Sequence, residues 1–121
     1  MIASSMITTT FDLPGYRLEA CLGEVMGLTV RSRNVFSVFG SGFKSIFGGE
    51  LKGQTQALVD SRRQVMDRMV AEAEARGANA VVGMRYDASE LGNGWTEICA
   101  YGTAMRVTPL VPPPPAPLGS V

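Results

Sequence analysis

Cys21 and Cys99 are the most reactive side chains in a sequence that contains no histidine. Thiolates and imidazoles are the ligands that soft and borderline metals prefer, three or four of them converging on one ion. With imidazole absent, a heavy-metal ion would have to rest on Cys21 and Cys99. They would meet by pairing of the strands that carry them, or be gathered from several copies around a symmetry axis. They form no CxxC pair and are too few for a disulfide framework, so the plainer reading is two reduced thiols that act as small sheet hydrophobes. The missing imidazole also removes the commonest general base. No nucleophile stands beside a base and no carboxylate pair is fixed by local spacing, so the residues point away from an enzyme.

Three other groups offer binding chemistry. The seven methionines supply thioethers, but Met66 and Met69 fall at helical packing positions and Met84 and Met105 within strands, where core filling accounts for them. Glu50, Asp87, Glu90 and Glu97 would suit a hard cation only if the fold gathered them, and carboxylates beside turns are commonly just solvated. Arg31, Arg33 and Asn34 cluster at a strand-to-helix junction, where two guanidinium groups and a helix N-terminus would favour an anion. The competing role for them is ion pairing with acids such as Glu50 or Glu97 across a subunit interface. Neither Gly48-Gly49 nor the segment from Gly77 to Gly83 fits a phosphate-binding loop.

The elements that must position these groups are readable from periodicity. From Tyr16 to Val30 the even positions (Tyr16, Leu18, Ala20, Leu22, Glu24, Met26, Leu28, Val30) are mostly apolar and the odd ones largely polar. This predicts β structure with the even face buried, divided into two strands by a bulge or turn at Gly23 and Gly27. Ile7 to Thr10 reads as a short strand ended by Leu13-Pro14-Gly15. Asn34 can cap a short helix bearing Phe36, Phe39, Phe43 and Phe47, a stripe suited to burial in the core or a subunit interface. Residues 54–76 form a longer amphipathic helix with Leu58, Val65, Met69 and Ala73 or Ala75 on one stripe, ion pairs Arg63/Asp67 and Glu72/Arg76, and Gly77 as its stop. A strand over residues 80–87, a hairpin turn at Leu91-Gly92-Asn93-Gly94 and a last strand from Thr96 to Val107 follow. That last strand is apolar on both faces, which predicts burial on both.

A length of 121 residues gives one domain, and 45% hydrophobic with 18% charged residues gives a folded one. The expected division is an N-terminal extension over 1–5, an α+β domain over 6–108, and a Pro-rich tail over 109–121 that is disordered or docks on an aromatic groove of a partner protein. Eleven basic against eleven acidic residues leave no field to attract nucleic acid or an anionic membrane. With neither a signal-like start nor a run long enough to span a bilayer, the expected location is the cytoplasm.

Several ordered blocks resemble the YbjQ-like proteins, described as heavy-metal-binding and otherwise uncharacterised. They are Thr8-Thr9-Thr10 with Leu13-Pro14-Gly15, Val30 through Phe36, Ile46-Phe47-Gly48-Gly49-Glu50, Gly77 through Gly83, and Ala100 through Ala104. The resemblance covers residues 7–107. It implies a ββ-αα-ββ subunit that assembles as a ring-shaped homo-oligomer, a homopentamer in the family, with short extra strands joining subunits. It places no metal ligand on a numbered position. Apolar strand faces and a Phe stripe exceed what so small a domain buries alone, so self-association is the expected remedy. The function expected from these residues is that of a non-enzymatic, ring-forming protein with a ligand or partner at its subunit interfaces, or else a soft-metal binder using Cys21 and Cys99.

Overall fold

The structure, a computed structural model, describes residues 1–32 and 52–111. Strand β1 (Tyr16–Ser32), helix α1 (Lys52–Ala75), strand β2 (Ala80–Gly92) and strand β3 (Trp95–Pro109) follow a short 3-10 turn at Ser4–Met6. The three strands form one antiparallel sheet in the order β1-β3-β2. Among the described residues, the expected ββ-αα-ββ order thus resolves into one long strand, one helix and a hairpin. The predicted Phe-bearing helix, Arg33, Asn34 and Glu50 lie outside the described residues, as do 112–121 of the Pro-rich tail.

The predicted hairpin is present. Its two turn residues, Asn93 at φ 54° and Gly94 at φ 80°, both adopt the left-handed conformation that a tight turn matched to strand twist requires. The helix ends where expected, with Gly77 N–H donating to Glu74 O (2.9 Å) and Ala78 N–H to Ala73 O (3.0 Å). β3 takes the middle of the sheet, which explains why it is apolar on both faces. The helix side of the core joins Ile98, Ala100 and Ala104 to Val25, Val65, Met69, Ala73, Val81 and Met84. On the other side Met105 and Val107 join Leu13, Ala80 and Val82. The chain therefore encloses most of β3 by itself, and no second copy is needed to cover it.

β1 differs most from expectation. It is not split in two; register shifts at Leu18/Ala20 and Cys21/Gly23 bend it without ending it. Gly27 is where α1 crosses it. A Cβ built on Gly27 would lie 1.9 Å from the Val65 carbonyl oxygen and 2.5 Å from the Met69 amide nitrogen, so the helix backbone rests directly on the strand backbone. Val25, Gly27 and Thr29 are consequently the buried positions, and Met26, Leu28 and Val30, the predicted inner face, point away from the helix. The period of two was read correctly and the buried face was not, because only small residues fit beneath α1.

The termini are more integrated than a loose extension and tail. Ile2 is buried in the helix-side core, and Leu110 N–H donates to Gly15 O at 2.9 Å. Ile7 to Thr10 does not form a regular strand; it lies along β2 through the isolated parallel bridge Ile7 to Val81 and backbone hydrogen bonds of Thr8 and Thr10 to Val81, Gly83 and Met84.

Gly27→Ala should destabilise the fold by about 3 kcal/mol, the upper end of the usual cost of overpacking, because backbone atoms of α1 must retreat. A fall in the urea midpoint of the variant, followed by circular dichroism, measures it; an unchanged midpoint would contradict the close approach.

Candidate functional site

The two thiols end on the same face of the sheet but far apart. Cys21 pairs with Met105, whereas Cys99 pairs with Leu28. Six residues of β3 separate Met105 from Cys99, about 20 Å at the rise of an extended strand. The sheet therefore brings together the strands that carry them without bringing together the sulfurs. Cys21 is exposed and Cys99 is buried. Burial, reinforced by the carboxylates of Glu97, Asp87 and Glu24, pushes the Cys99 thiol up from its ordinary value and keeps it protonated. Metal ligation needs the thiolate, so this setting works against Cys99 as a ligand. Among the described residues no three Cys, Asp or Glu side chains group as metal donors. A soft metal thus has no donor set within one described chain, and ligation by Cys21 would need equivalent thiols from other copies.

Of the predicted anion cluster, only Arg31 is described. Its Nη2 donates to Gln64 Oε1 at 2.6 Å, which ties the end of β1 to the side of α1. Asp87 and Glu97 lie on the outer face beside Cys99, with Asp87 Oδ1 accepting the Ala88 N–H at 3.0 Å. Glu90 lies farther along β2, opposite Thr96. Among the described residues these acids form no group of three that could hold a cation.

What the sequence reading missed is the outer face itself. The register puts Leu18, Glu24, Met26, Leu28 and Val30 of β1 beside Val107, Thr103, Tyr101, Cys99 and Glu97 of β3, with Trp95 at the hairpin end. Leu18, Met26, Leu28, Val30 and Trp95 are each between 38% and 48% exposed. A row of large apolar side chains of this extent on one face is a surface for contact rather than for solvent. The even-position pattern carried the signal, but it was assigned to the interior.

The chain itself covers part of each outer sheet edge, over Leu22 to Leu28 of β1 and Val81 to Met84 of β2. Arg76 Nη1 donates to the carbonyls of Leu22 (3.1 Å) and Glu24 (2.7 Å), Met26 N–H donates to Glu72 Oε2 (3.2 Å), and Arg68 Nη1 donates to Leu28 O (2.6 Å). Arg76 also pairs with Glu72 at 2.8 Å, the predicted ion pair. Three side chains of α1 therefore occupy the outward backbone groups of β1 over these residues. On β2, Thr8 N–H donates to Val81 O (2.9 Å), and Thr10 O and Thr8 O accept from Gly83 (2.7 Å) and Met84 (3.0 Å). Free edges of this kind otherwise recruit another strand.

Among the described residues, concavities on the helix side include a cleft and a groove. A cleft of about 70 Å³ lined by Leu58, Arg62, Tyr86, Asp87, Ala88 and Ile98 is too small for a metabolite. A groove of about 550 Å³ runs between the N-terminal residues and α1, floored by Ile2, Ile7, Met66 and Val70. Asp67 and Glu74 edge it, and the Met1 ammonium is 3.9 Å from Glu74.

Comparison with known proteins agrees with this fold. A family model of YbjQ-like proteins, described as "Putative heavy-metal-binding", matches residues 5–108. This chain belongs to the YbjQ-like family. It is 64% identical over 105 residues to a UPF0145 protein of Acidothermus cellulolyticus, covering 87% of this chain and 97% of that one. A UPF0145 protein of Mycobacteroides abscessus is 55% identical over 105 residues, covering 87% and 98%. Among solved structures, a DUF74-family protein of unknown function from Pediococcus pentosaceus superposes with a TM-score of 0.51 at 12% identity, covering 84% of this chain and 96% of that one, a likeness of fold alone. The donor geometry above does not fit a resident heavy-metal ion within one described YbjQ-like chain. No helix among the described residues is long and apolar enough to cross a membrane.

Thiol chemistry tests the two environments. Cys21 should be alkylated readily near neutral pH, and Cys99 only as the pH rises beyond the ordinary thiol range, as read by peptide mass spectrometry after timed iodoacetamide treatment. The folded state holds the Cys99 proton longer than the unfolded state does. Its contribution to stability is therefore complete below the ordinary thiol pKa and fades as pH rises toward the folded value. Fast neutral labelling of Cys99 in folded protein would contradict this.

Proposed function

We propose that this protein is a non-enzymatic subunit of a closed homo-oligomer, ring-shaped as its family resemblance implies, whose subunit contacts include the outer face of the sheet. The observation that carries this reading is the row Leu18, Met26, Leu28, Val30 and Trp95, half-exposed on a face that the described chain leaves uncovered. Each such side chain is already more than half covered, so burying the remainder is worth about half of the roughly 1.5–3 kcal/mol of full burial, and five together offset part of the entropic cost of association. Coverage of the β1 edge over Leu22 to Leu28 and of the β2 edge over Val81 to Met84 favours contact through the face there. The groove beneath the N-terminal residues and the new clefts between subunits are the places where a small ligand would bind.

The donor set argues against a soft-metal role for the single chain. If purified from metal-supplemented medium, the protein should hold far less than one equivalent of zinc, copper or cadmium per chain, and Cys21→Ser/Cys99→Ser should hold no less. Elemental analysis decides; near-stoichiometric metal lost in the double variant would restore the metal-binding reading.

The wild-type protein should run as one oligomer at micromolar concentration in size-exclusion chromatography with light scattering. Leu28→Asp combined with Val30→Asp should shift it to monomer while circular dichroism stays native. A monomeric wild type would end the proposal.

A further inference from the structure

The tip of the β2–β3 hairpin carries the most labile amide in the sequence. Asn34 precedes Val35, Asn79 precedes Ala80 and Asn93 precedes Gly94. An asparagine side chain can be attacked by the backbone nitrogen of the residue that follows it, and a glycine there offers no Cβ to hinder the approach. Asn93 is also exposed. Asn79 is held on both sides, its Oδ1 accepting from Val107 N–H at 2.8 Å and its Nδ2 donating to Val107 O at 2.9 Å.

The turn itself restrains the reaction. Gly92, Asn93 and Gly94 are three successive residues at positive φ, 83°, 54° and 80°. In the left-handed region that Asn93 occupies, ψ lies at about +30 to +60°. At such a ψ the Gly94 nitrogen lies on the opposite side of the Cα–C bond from Cβ, and the side-chain carbonyl carbon is attached to Cβ. Nitrogen and carbon therefore cannot meet while the turn is intact. They meet when the tip opens, and a hairpin tip opens at lower free energy than the whole domain. The ladder is already irregular between Glu90 and Gly92.

We infer that Asn93 is a site of spontaneous deamidation gated by opening of the β2–β3 turn. The Gly94 amide gives its proton to hydroxide and attacks Asn93 Cγ. The new N–Cγ bond closes a succinimide, the Cγ–Nδ2 bond breaks, and ammonia leaves with a proton from water. A water molecule then opens the ring at either carbonyl, which yields aspartate or isoaspartate without any redox change. Both products place a carboxylate beside Trp95. Isoaspartate also inserts Cβ into the main chain, so the two-residue turn cannot re-form and this end of the hairpin stays loosened.

The test is incubation of the full-length protein at mildly alkaline pH, folded and in guanidinium chloride, followed by peptide mass spectrometry and enzymatic isoaspartate detection. The amide-to-acid change should appear at residue 93 and not at Asn79, at least ~10-fold more slowly in the folded protein than in the unfolded chain. Gly92→Ala leaves the reacting pair untouched, and a Cβ there meets nothing within 4 Å, so it adds backbone strain alone. It should speed the folded-state reaction about 5–30-fold and leave the unfolded rate unchanged, with circular dichroism confirming the fold. Equal wild-type rates folded and unfolded, or a Gly92→Ala rate no faster than wild type in the folded state, would overturn the gating. An Asn93 that stays intact in guanidinium chloride would overturn the site itself. The wild-type comparison stands whether or not the variant folds.

Discussion

The contact of α1 with β1 at Gly27 governs the rest of the structure. Where a helix backbone lies directly on a strand backbone, no side chain fits between them, and the flanking inward positions must be modest in size. Val25, Gly27 and Thr29 meet that condition. The large residues of the strand then have only one direction left, outward. A single steric constraint thus produces both a tight helix-side core around Val65 and Met69 and an uncovered apolar face on the opposite side.

The same close approach explains how the sheet edge is protected. With α1 so near β1, Arg68, Glu72 and Arg76 reach over the strand and satisfy its outward carbonyls and amide. The carbonyls of Leu22 and Glu24, two residues apart, both accept from the one Arg76 guanidinium nitrogen. Backbone groups that would otherwise template another strand are occupied, and the face remains as the surface through which large contacts can form. On the outer face a protonated Cys99 sits among carboxylates, far along the ladder from the exposed Cys21.

Much of this was legible in the sequence, and some was not. The α1 stripe, its stop at Gly77, the Glu72/Arg76 pair, the Asn93-Gly94 turn and the doubly apolar last strand all follow from local spacing and were found where expected. Leu58 was placed on the buried stripe and is exposed, because the helix turns Ala57 and Ser61 to the sheet instead. The thiol pair failed for a reason that strand assignment cannot supply: two strands can be neighbours while any two of their residues lie many rungs apart.

Period and composition by themselves determined that residues 16–30 are β structure with two unlike faces, that a long amphipathic helix ends at Gly77, and that a strand over 80–87 turns back into one over 96–107. Alternation reports that the two faces of a strand differ. It carries no sign for which face meets the helix, because that depends on the distance at which a segment remote in sequence packs. Only the tertiary structure decided that small residues face α1 and large ones face outward, that register separates Cys21 from Cys99, and that helix side chains close the edge of β1. Each of these is a relation between segments dozens of residues apart, set by packing distance and ladder register rather than by local propensity.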